Sequence, residues 1–326
     1  MKEIIMITGK KLYRSFSPQE AAIDQFALLI KGDSIFWAGP KKEASSIAIG
    51  KTIDLGDVTI IPGLMDMHVH LFINSQGESD ISPHHENQSS AFAERVLQGW
   101  RRAQSLLSQG ITTCRDLGAG EALNTGLRDA VSRGLCPGPR IFSSGEAIAV
   151  TGGHGSSLSH ACDGPWDMVK EVRKLSAQKV DWIKLMVTGG VNSPGSEPGP
   201  MEFTREEIRA AVQTAKDHGL KVAVHTHGYT GIRTCIEEGV SSIEHGVFLA
   251  EDLFPQMIEK GIFLVPTLSP PFHASQQGLQ NDPDNPEHAK SAQVIEGHRK
   301  IMLAAHQAGV SLAVGSDAGT SFNDHN

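Results

Sequence analysis

From residue 59 onward, apolar runs of strand length alternate with longer stretches of helical periodicity, and this alternation constrains the fold more than any other feature of the chain. Strands separated by helices run parallel, because a parallel connection needs a crossover of about a dozen residues or more. The predicted strands are 60–70, 111–116, 140–144, 182–187, 222–227, 242–245, 262–267 and 311–317. Helical stretches lie between them at 91–108, 121–133, 168–179, 205–218, 232–238, 253–260 and 287–308. Gly110, Gly134, Gly219, Gly239, Gly261 and Gly309 stand where helix C-caps fall. Eight strands with seven helices predict an α/β fold, a (β/α)8 TIM barrel over 59–326 that is truncated after its eighth strand. Residues 1–58 read as a small β domain, with runs at 3–8, 26–31, 34–38 and 52–55 and a hairpin turn at Gly32-Asp33. These runs are too few and too short to be expected to bury a core of their own.

Composition narrows the functional classes. The chain has 29 Lys and Arg against 37 Asp and Glu, a net charge of −8, and no basic run able to neutralise a phosphate backbone, so no nucleic-acid partner is expected. No stretch of about 20 apolar residues is present to span a bilayer, so no membrane partner is expected either. Cys114, Cys136, Cys162 and Cys235 are scattered without a Cys-x-x-Cys pair, which argues against a disulfide framework and against a zinc–thiolate site. A cytoplasmic location is the simplest expectation, and Glu3 and Gly9 interrupt what would be the apolar core of a signal peptide. Oligomeric state is left open, a homo-oligomer included.

With the strands placed, polar residues able to bind a cation gather at their C-terminal ends. His68 and His70 end the first strand, Lys184 lies inside the fourth, His225 and His227 end the fifth, His245 ends the sixth and Asp317 ends the eighth. Side chains at i and i+2 of a strand share a face, so each His-x-His pair can reach one point in space, with Asp66 further back on the first of those faces. A single such pair arises readily among 15 histidines; the weight lies in the convergence at the strand ends, where barrel enzymes build their sites. Lys184, inside Trp-Ile-Lys-Leu-Met-Val, has no comfortable structural role, because a desolvated ammonium needs a partner or a chemical change.

The run Ile-Pro-Gly-Leu-Met-Asp-Met-His-Val-His at 61–70, the strand-four Lys184, His225, Glu-His-Gly at 244–246 and Gly-Ser-Asp-Ala-Gly at 315–319 resemble the amidohydrolase superfamily. Within it the chain is most similar to the Xaa-Pro dipeptidase (prolidase) and imidazolonepropionase-like group, on Thr-Gly-Gly-His-Gly at 151–155 and Ile-Lys-Leu-Met-Val-Thr-Gly-Gly-Val at 183–191. The resemblance covers nearly the whole chain. It implies a binuclear metal-dependent hydrolase that cleaves an amide bond of a small-molecule substrate, a dipeptide or N-acyl amino acid, by a metal-bridging hydroxide. It further implies that His68, His70 and Asp317 hold the first of two divalent ions, that His225 and His245 hold the second, and that Lys184, as N6-carboxylysine, bridges both. Imidazole and carboxylate ligands without thiolate suit zinc. Asp317 would also be catalytic, moving a proton from the attacking hydroxide to the leaving amine; by itself, Ser-Asp-Ala-Gly is equally ordinary helix-capping sequence.

Further candidates follow from where residues lie along the chain. His154, in the Gly-rich turn after strand three, is the candidate donor to the scissile carbonyl oxygen, against the plainer reading of a surface histidine on a turn. His227 is a candidate substrate contact, and Tyr229 and Arg233 are candidates to grip a substrate carboxylate, although Arg233 reads equally well as an exposed helix charge. Asp66 is read as a structural group. His84, His85, His160, His273, His288, His298 and His306 are read as ordinary solvated residues, and 189–200 and 269–285 as long loops. The alternative enzyme is a one-metal cyclic amidohydrolase such as imidazolonepropionase, against which Lys184 speaks; the alternative outside catalysis is an inactive metal-binding fragment. Family members continue past the strand-eight Asp through a last helix and returning strands, whereas this chain ends at Asn326, so a truncated barrel is expected.

Overall fold

A computed structural model of the chain describes residues 3–17, 19–44, 49–73, 89–191, 198–281, 286–320 and 323–325. Internal contacts divide it into two compact units, Met1–Leu64 and Met65–Asn326. The first is a sheet of β1 (Ile4–Leu12), β2 (Ile23–Lys31), β3 (Ser34–Pro40), β4 (Lys51–Asp54) and β5 (Thr59–Ile60). Its order is β3-β2-β1-β4, with β5 also on β1; β2 and β3 pair antiparallel with their neighbours, and β4 and β5 run parallel to β1. Gly32, at φ 68°, supplies the left-handed residue of the expected hairpin turn. The expectation of no core is corrected on a small scale: Leu12, Phe26 and Leu28 pack with Ile7, Ile23, Ala38 and Ile60. They can do so because β1 and β2 extend to nine residues each, longer than the runs read from the sequence.

The second unit alternates strands and helices. β6 (Leu64–Val69), α1 (Ser89–Ser108), β7 (Ile111–Asp116), α2 (Leu123–Ser132) and β8 (Arg140–Ser143) come first. β9 (Ala147–Ala149), β10 (Ser159–Ala161), α3 (Pro165–Ala177), β11 (Trp182–Met186), α4 (Arg205–Asp217), β12 (Lys221–Thr226) and α5 (Tyr229–Glu238) follow. β13 (Ser242–His245), α6 (Phe254–Lys260), β14 (Phe263–Val265), α7 (Ser269–His273), α8 (Leu279–Asn281) and α9 (Pro286–Ala308) complete it. The strands form a sheet β6-β7-β8 and a sheet β10-β9-β11-β12-β13-β14, the latter with parallel neighbours throughout.

Three expectations change. The run 60–70 is broken into β5 and β6 around Pro62, which has no N–H to give to a ladder. The run 269–285 is not one long loop, because Ser269–His273 and Leu279–Asn281 are helical; Pro270 sits in the first turn of α7, where a missing N–H costs nothing. The run 311–317 forms isolated parallel bridges instead of a continuous ladder, Leu264 with Leu312 and Val69 with Ala318. Its backbone bonds reach both ways: Leu264 N donates to Ser311 O at 2.9 Å, Met67 N to Val314 O at 2.8 Å and Asp317 N to His68 O at 2.7 Å. Segment 311–318 therefore links β14 of one sheet to β6 of the other.

The helices begin and end for local reasons. Thr204 and Glu207 form a reciprocal capping box that starts α4, and Gly239 and Gly261, both left-handed, close α5 and α6. Strand alternation then sorts the side chains. Ile183 and Leu185 of β11, Val222 and Val224 of β12 and Ile243 of β13 join one apolar core with Met168, Val172, Ile208 and Ile232 from the helices. The residues between them face the other way.

Candidate metal centre

Those other faces meet in a cavity of about 280 Å³. Lys184 and Met186 from β11, His225 from β12, His245 from β13, and His68 and Asp317 line it, so side chains that lie far apart in sequence share one space. His68 Nε2 and His70 Nε2 each lie 3.4 Å from Asp317 Oδ1. One ligand atom from each of the three falls within 4.8 Å of the others, and all three residues are buried. His68 Nδ1 is 2.9 Å from Glu244 Oε2, while His68 Nε2 is buried with no hydrogen-bond partner among the described residues. Buried polar atoms are normally satisfied, so an imidazole nitrogen orphaned beside a carboxylate oxygen fits a site made for a cation.

Beside this trio stands a cluster of rings. The centroids of His225 and His245 are 4.4 Å apart, those of His225 and His227 4.6 Å, those of His154 and His225 4.3 Å and those of His68 and His245 5.0 Å. Burial pushes His68 and His154 down to about 4 and His227 to about 3, with the Lys184 charge adding to each, and it holds His225 and His245 well below the usual range. These imidazoles are neutral near pH 7, the form that ligates a metal. Lys184 is 1 % exposed; burial lowers it to about 8, against the opposing pull of Glu244 and Asp317. Asp317 is held below the ordinary carboxyl range because His68, His70 and Lys184 outweigh the cost of its burial.

The backbone is strained at the same place. His245, Thr267 and Asp317 adopt φ values of 66°, 49° and 55°, a left-handed region that non-glycine residues rarely enter. For His245 the gain is visible: the strand's alternation breaks, so Glu244 and His245 both meet site residues, Glu244 at His68 and His245 Nδ1 at Thr267 Oγ1, 2.6 Å away. Two glycines make room. A Cβ on Gly190 would stand 2.5 Å from the His154 ring, and one on Gly315 would stand 2.8 Å from His68 Cβ.

Of the residues singled out in the sequence, His68, His70, His154, Lys184, His225, His227, His245 and Asp317 all line the cavity. Asp66 lies behind it, its Oδ1 accepting from His68 N and Ser316 N at 3.1 and 3.0 Å, which ties β6 to segment 311–318. Tyr229 and Arg233 are not among the cavity's lining residues: the Tyr229 hydroxyl donates to Asp252 and Arg233 Nε to Glu237, both on exposed surface. His84 and His85 lie outside the described residues. His298, read as solvated, is instead buried on α9, donates from Nε2 to His245 O at 2.8 Å and lines the cavity. No local pattern announces it, since its partner is 53 residues away. Thr267, Arg115 and the pairing of Glu244 with His68 also escape sequence reasoning, for the same reason. A second group, Glu146, His160 and Glu171, also converges, but Lys174 Nζ already sits 3.3 and 3.0 Å from its two carboxylates.

Comparison with known proteins places this geometry. The model of the amidohydrolase family matches residues 59–325. An ochratoxinase from Aspergillus niger is 29% identical over 320 residues, covering 89% of this chain; the chain spans 65% of that relative's length. A crystal structure of a Xaa-Pro dipeptidase with bound methionine in the active site superposes at a TM-score of 0.85 with 31% identity, over 98% of this chain and 81% of that one. A prolidase complexed with N-methylphosphonate-L-proline gives a TM-score of 0.84 with 26% identity, over 96% of this chain and 78% of that one.

Proposed function

We propose that this chain, which belongs to the amidohydrolase family, hydrolyses an amide bond of a dipeptide or N-acyl amino acid at a binuclear site for divalent metal, zinc in the first instance. The observation that carries the reading is the meeting of His68 Nε2, His70 Nε2 and Asp317 Oδ1, with the first of these buried and unpartnered. The similar dipeptidase and the prolidase with its phosphonate-proline support a small substrate that ends in an amino-acid carboxylate.

The donor set fits the group: His68, His70 and Asp317 would hold one ion, His225 and His245 the other, and carboxylated Lys184 would bridge them. When bound, the ions supply Lewis-acid activation of water and of the scissile carbonyl. The chain's own groups do the rest. Asp317, ionised at neutral pH, takes a proton from the attacking water on a carboxylate oxygen and returns it to the leaving amine nitrogen. His154, neutral and set against the cavity wall over Gly190, donates a ring N–H to the carbonyl oxygen as charge develops there. The Lys184 amine, lowered to about 8, keeps a neutral fraction able to attack carbon dioxide, releasing one proton and leaving an anionic carbamate where a cation stood. Ile73, Leu158, Val191 and Val247 line the cavity with apolar surface that excludes water from the reacting bond.

In the same reading the strands close into a (β/α)8 barrel through segment 311–318, residues 1–58 form the separate small β domain, and the protein works in the cytoplasm, where Cys114, Cys136, Cys162 and Cys235 stay as the free thiols they are here. No described helix is long and apolar enough to cross a membrane. A library of dipeptides and N-acyl amino acids, assayed on zinc-loaded protein, should show release of the carboxy-terminal amino acid. Opening of lactam or imidazolone rings alone would select the one-metal cyclic reading, against which the buried Lys184 speaks.

A further inference from the structure

We infer that Glu244 is a positioning residue that decides which nitrogen of His68 faces the metal, and that the buried Arg115 holds Glu244 to this task. The inference rests on the metal reading above. Glu244 is fully buried, and its Oε2 lies 2.9 Å from His68 Nδ1. Its other oxygen, Oε1, accepts from Arg115 Nη2 at 2.8 Å and from Ser242 Oγ at 2.5 Å. Arg115 is fixed in turn: Nε donates to Met67 O at 2.6 Å, Nη1 donates to Ser242 Oγ at 3.1 Å, and the guanidinium lies 4.4 Å from the centroid of Trp182.

A carboxylate facing a guanidinium only accepts hydrogen bonds. His68 Nδ1 must therefore carry the ring proton, and Nε2 is left as a bare lone pair. That lone pair faces Asp317 Oδ1, a second acceptor, at 3.4 Å, and no donor among the described residues reaches it. Two acceptors set against each other in a buried space repel unless a cation lies between them. Glu244 thus leaves Nε2 of the neutral ring facing Asp317 in an arrangement that a bound cation satisfies. A buried Arg–Glu pair adds little net stability over apolar residues of similar size, so its place directly behind a metal-facing imidazole points to orientation of that ring. The Glu244–Arg115 pair, moreover, joins β13 to β7 and β6, and its register relative to His68 is set by the same strands that carry the ligands.

The test reads the ring and the metal separately. Ring-nitrogen shifts of metal-free, ¹⁵N-histidine-labelled protein, with His68 assigned by its absence from a His68→Asn spectrum, should show the Nδ1–H tautomer; an Nε2–H tautomer overturns the inference. Outer contacts of this kind typically hold about 10–100-fold in metal affinity. Glu244→Gln should weaken zinc binding by that factor in chelator competition and shift the His68 tautomer. Because this variant leaves Arg115 against a neutral amide, Arg115→Met/Glu244→Leu is measured beside it; it removes both charges and should lose the same affinity. Zinc affinity within about two-fold of the parent and an unchanged tautomer in either folded variant overturn the inference. A parent chain that binds no zinc overturns the metal reading, and this inference with it.

Discussion

The two halves of the cavity are built on different electrostatics. On one side His68, His70 and Asp317 bring two imidazoles to a carboxylate oxygen, with Glu244 and Arg115 behind them. On the other, His225 and His245 stand in a group of rings next to a buried lysine. The first half is complete as encoded, since charge and lone pairs already converge on one point. The second half has lone pairs with the Lys184 amine among them, and on the proposed reading it would hold an ion once Lys184 is carboxylated. On that reading, construction of the site would have two stages, one finished by folding and one by a covalent change to a side chain.

The largest effect should come from breaking the finished half. On the proposed reading Asp317→Asn would remove a ligand and the proton carrier together, and turnover should fall by about 10²–10⁴-fold, measured as release of the carboxy-terminal amino acid. Breaking the second half should separate the two sides. Lys184→Ala should abolish hydrolysis and lower bound zinc by about one ion per chain while the His68 trio keeps its own; small carboxylic acids should restore part of the activity, and full activity without them would refute the bridging role.

Acid should act on both halves through their histidines. His68 and His154 at about 4 and His227 at about 3 bind fewer protons when folded than when unfolded, between those values and about 6.5. Stability of the metal-free chain should therefore be unaffected by these groups above about pH 6.5 and fall as the pH drops toward 4. Glu244, which Arg115 and His68 hold at about 2 against the cost of burial, should add a further loss below about pH 4.5. Urea midpoints at pH 7 and pH 5 in the presence of chelator give the comparison; equal midpoints would show that the imidazoles are not held neutral by burial. The smallest effect is expected at Arg233, whose exposed pair with Glu237 lies outside the cavity lining. Arg233→Ala should change stability by less than about 0.5 kcal/mol, and kcat/KM by less than about two-fold if no substrate carboxylate reaches it.

Much of the cavity lining was legible in the sequence because strands impose a period of two. His68 and His70, and His225 and His227, had to share faces wherever their strands lay, and Lys184 announced itself by being a charge within an apolar run. Tyr229 and Arg233 failed to reach the cavity because proximity in sequence to His225 says nothing once the chain turns into α5, whose faces follow a helical period. His298 and Thr267 were invisible for the opposite reason: they meet His245 from 53 and 22 positions away in the sequence.

The sequence by itself determined the alternation of strands and helices, the faces on which the histidines lie and the chemistry available to them, because these depend on periodicity and residue type. The tertiary structure alone decided which lone pairs meet, that Asp317 Oδ1 lies close to both His68 and His70, that Glu244 and Arg115 lie behind His68, and that segment 311–318 bridges two sheets without a full ladder. Those are long-range contacts, set by how strands register against one another and by three left-handed residues at the cavity rim, and no local pattern encodes them.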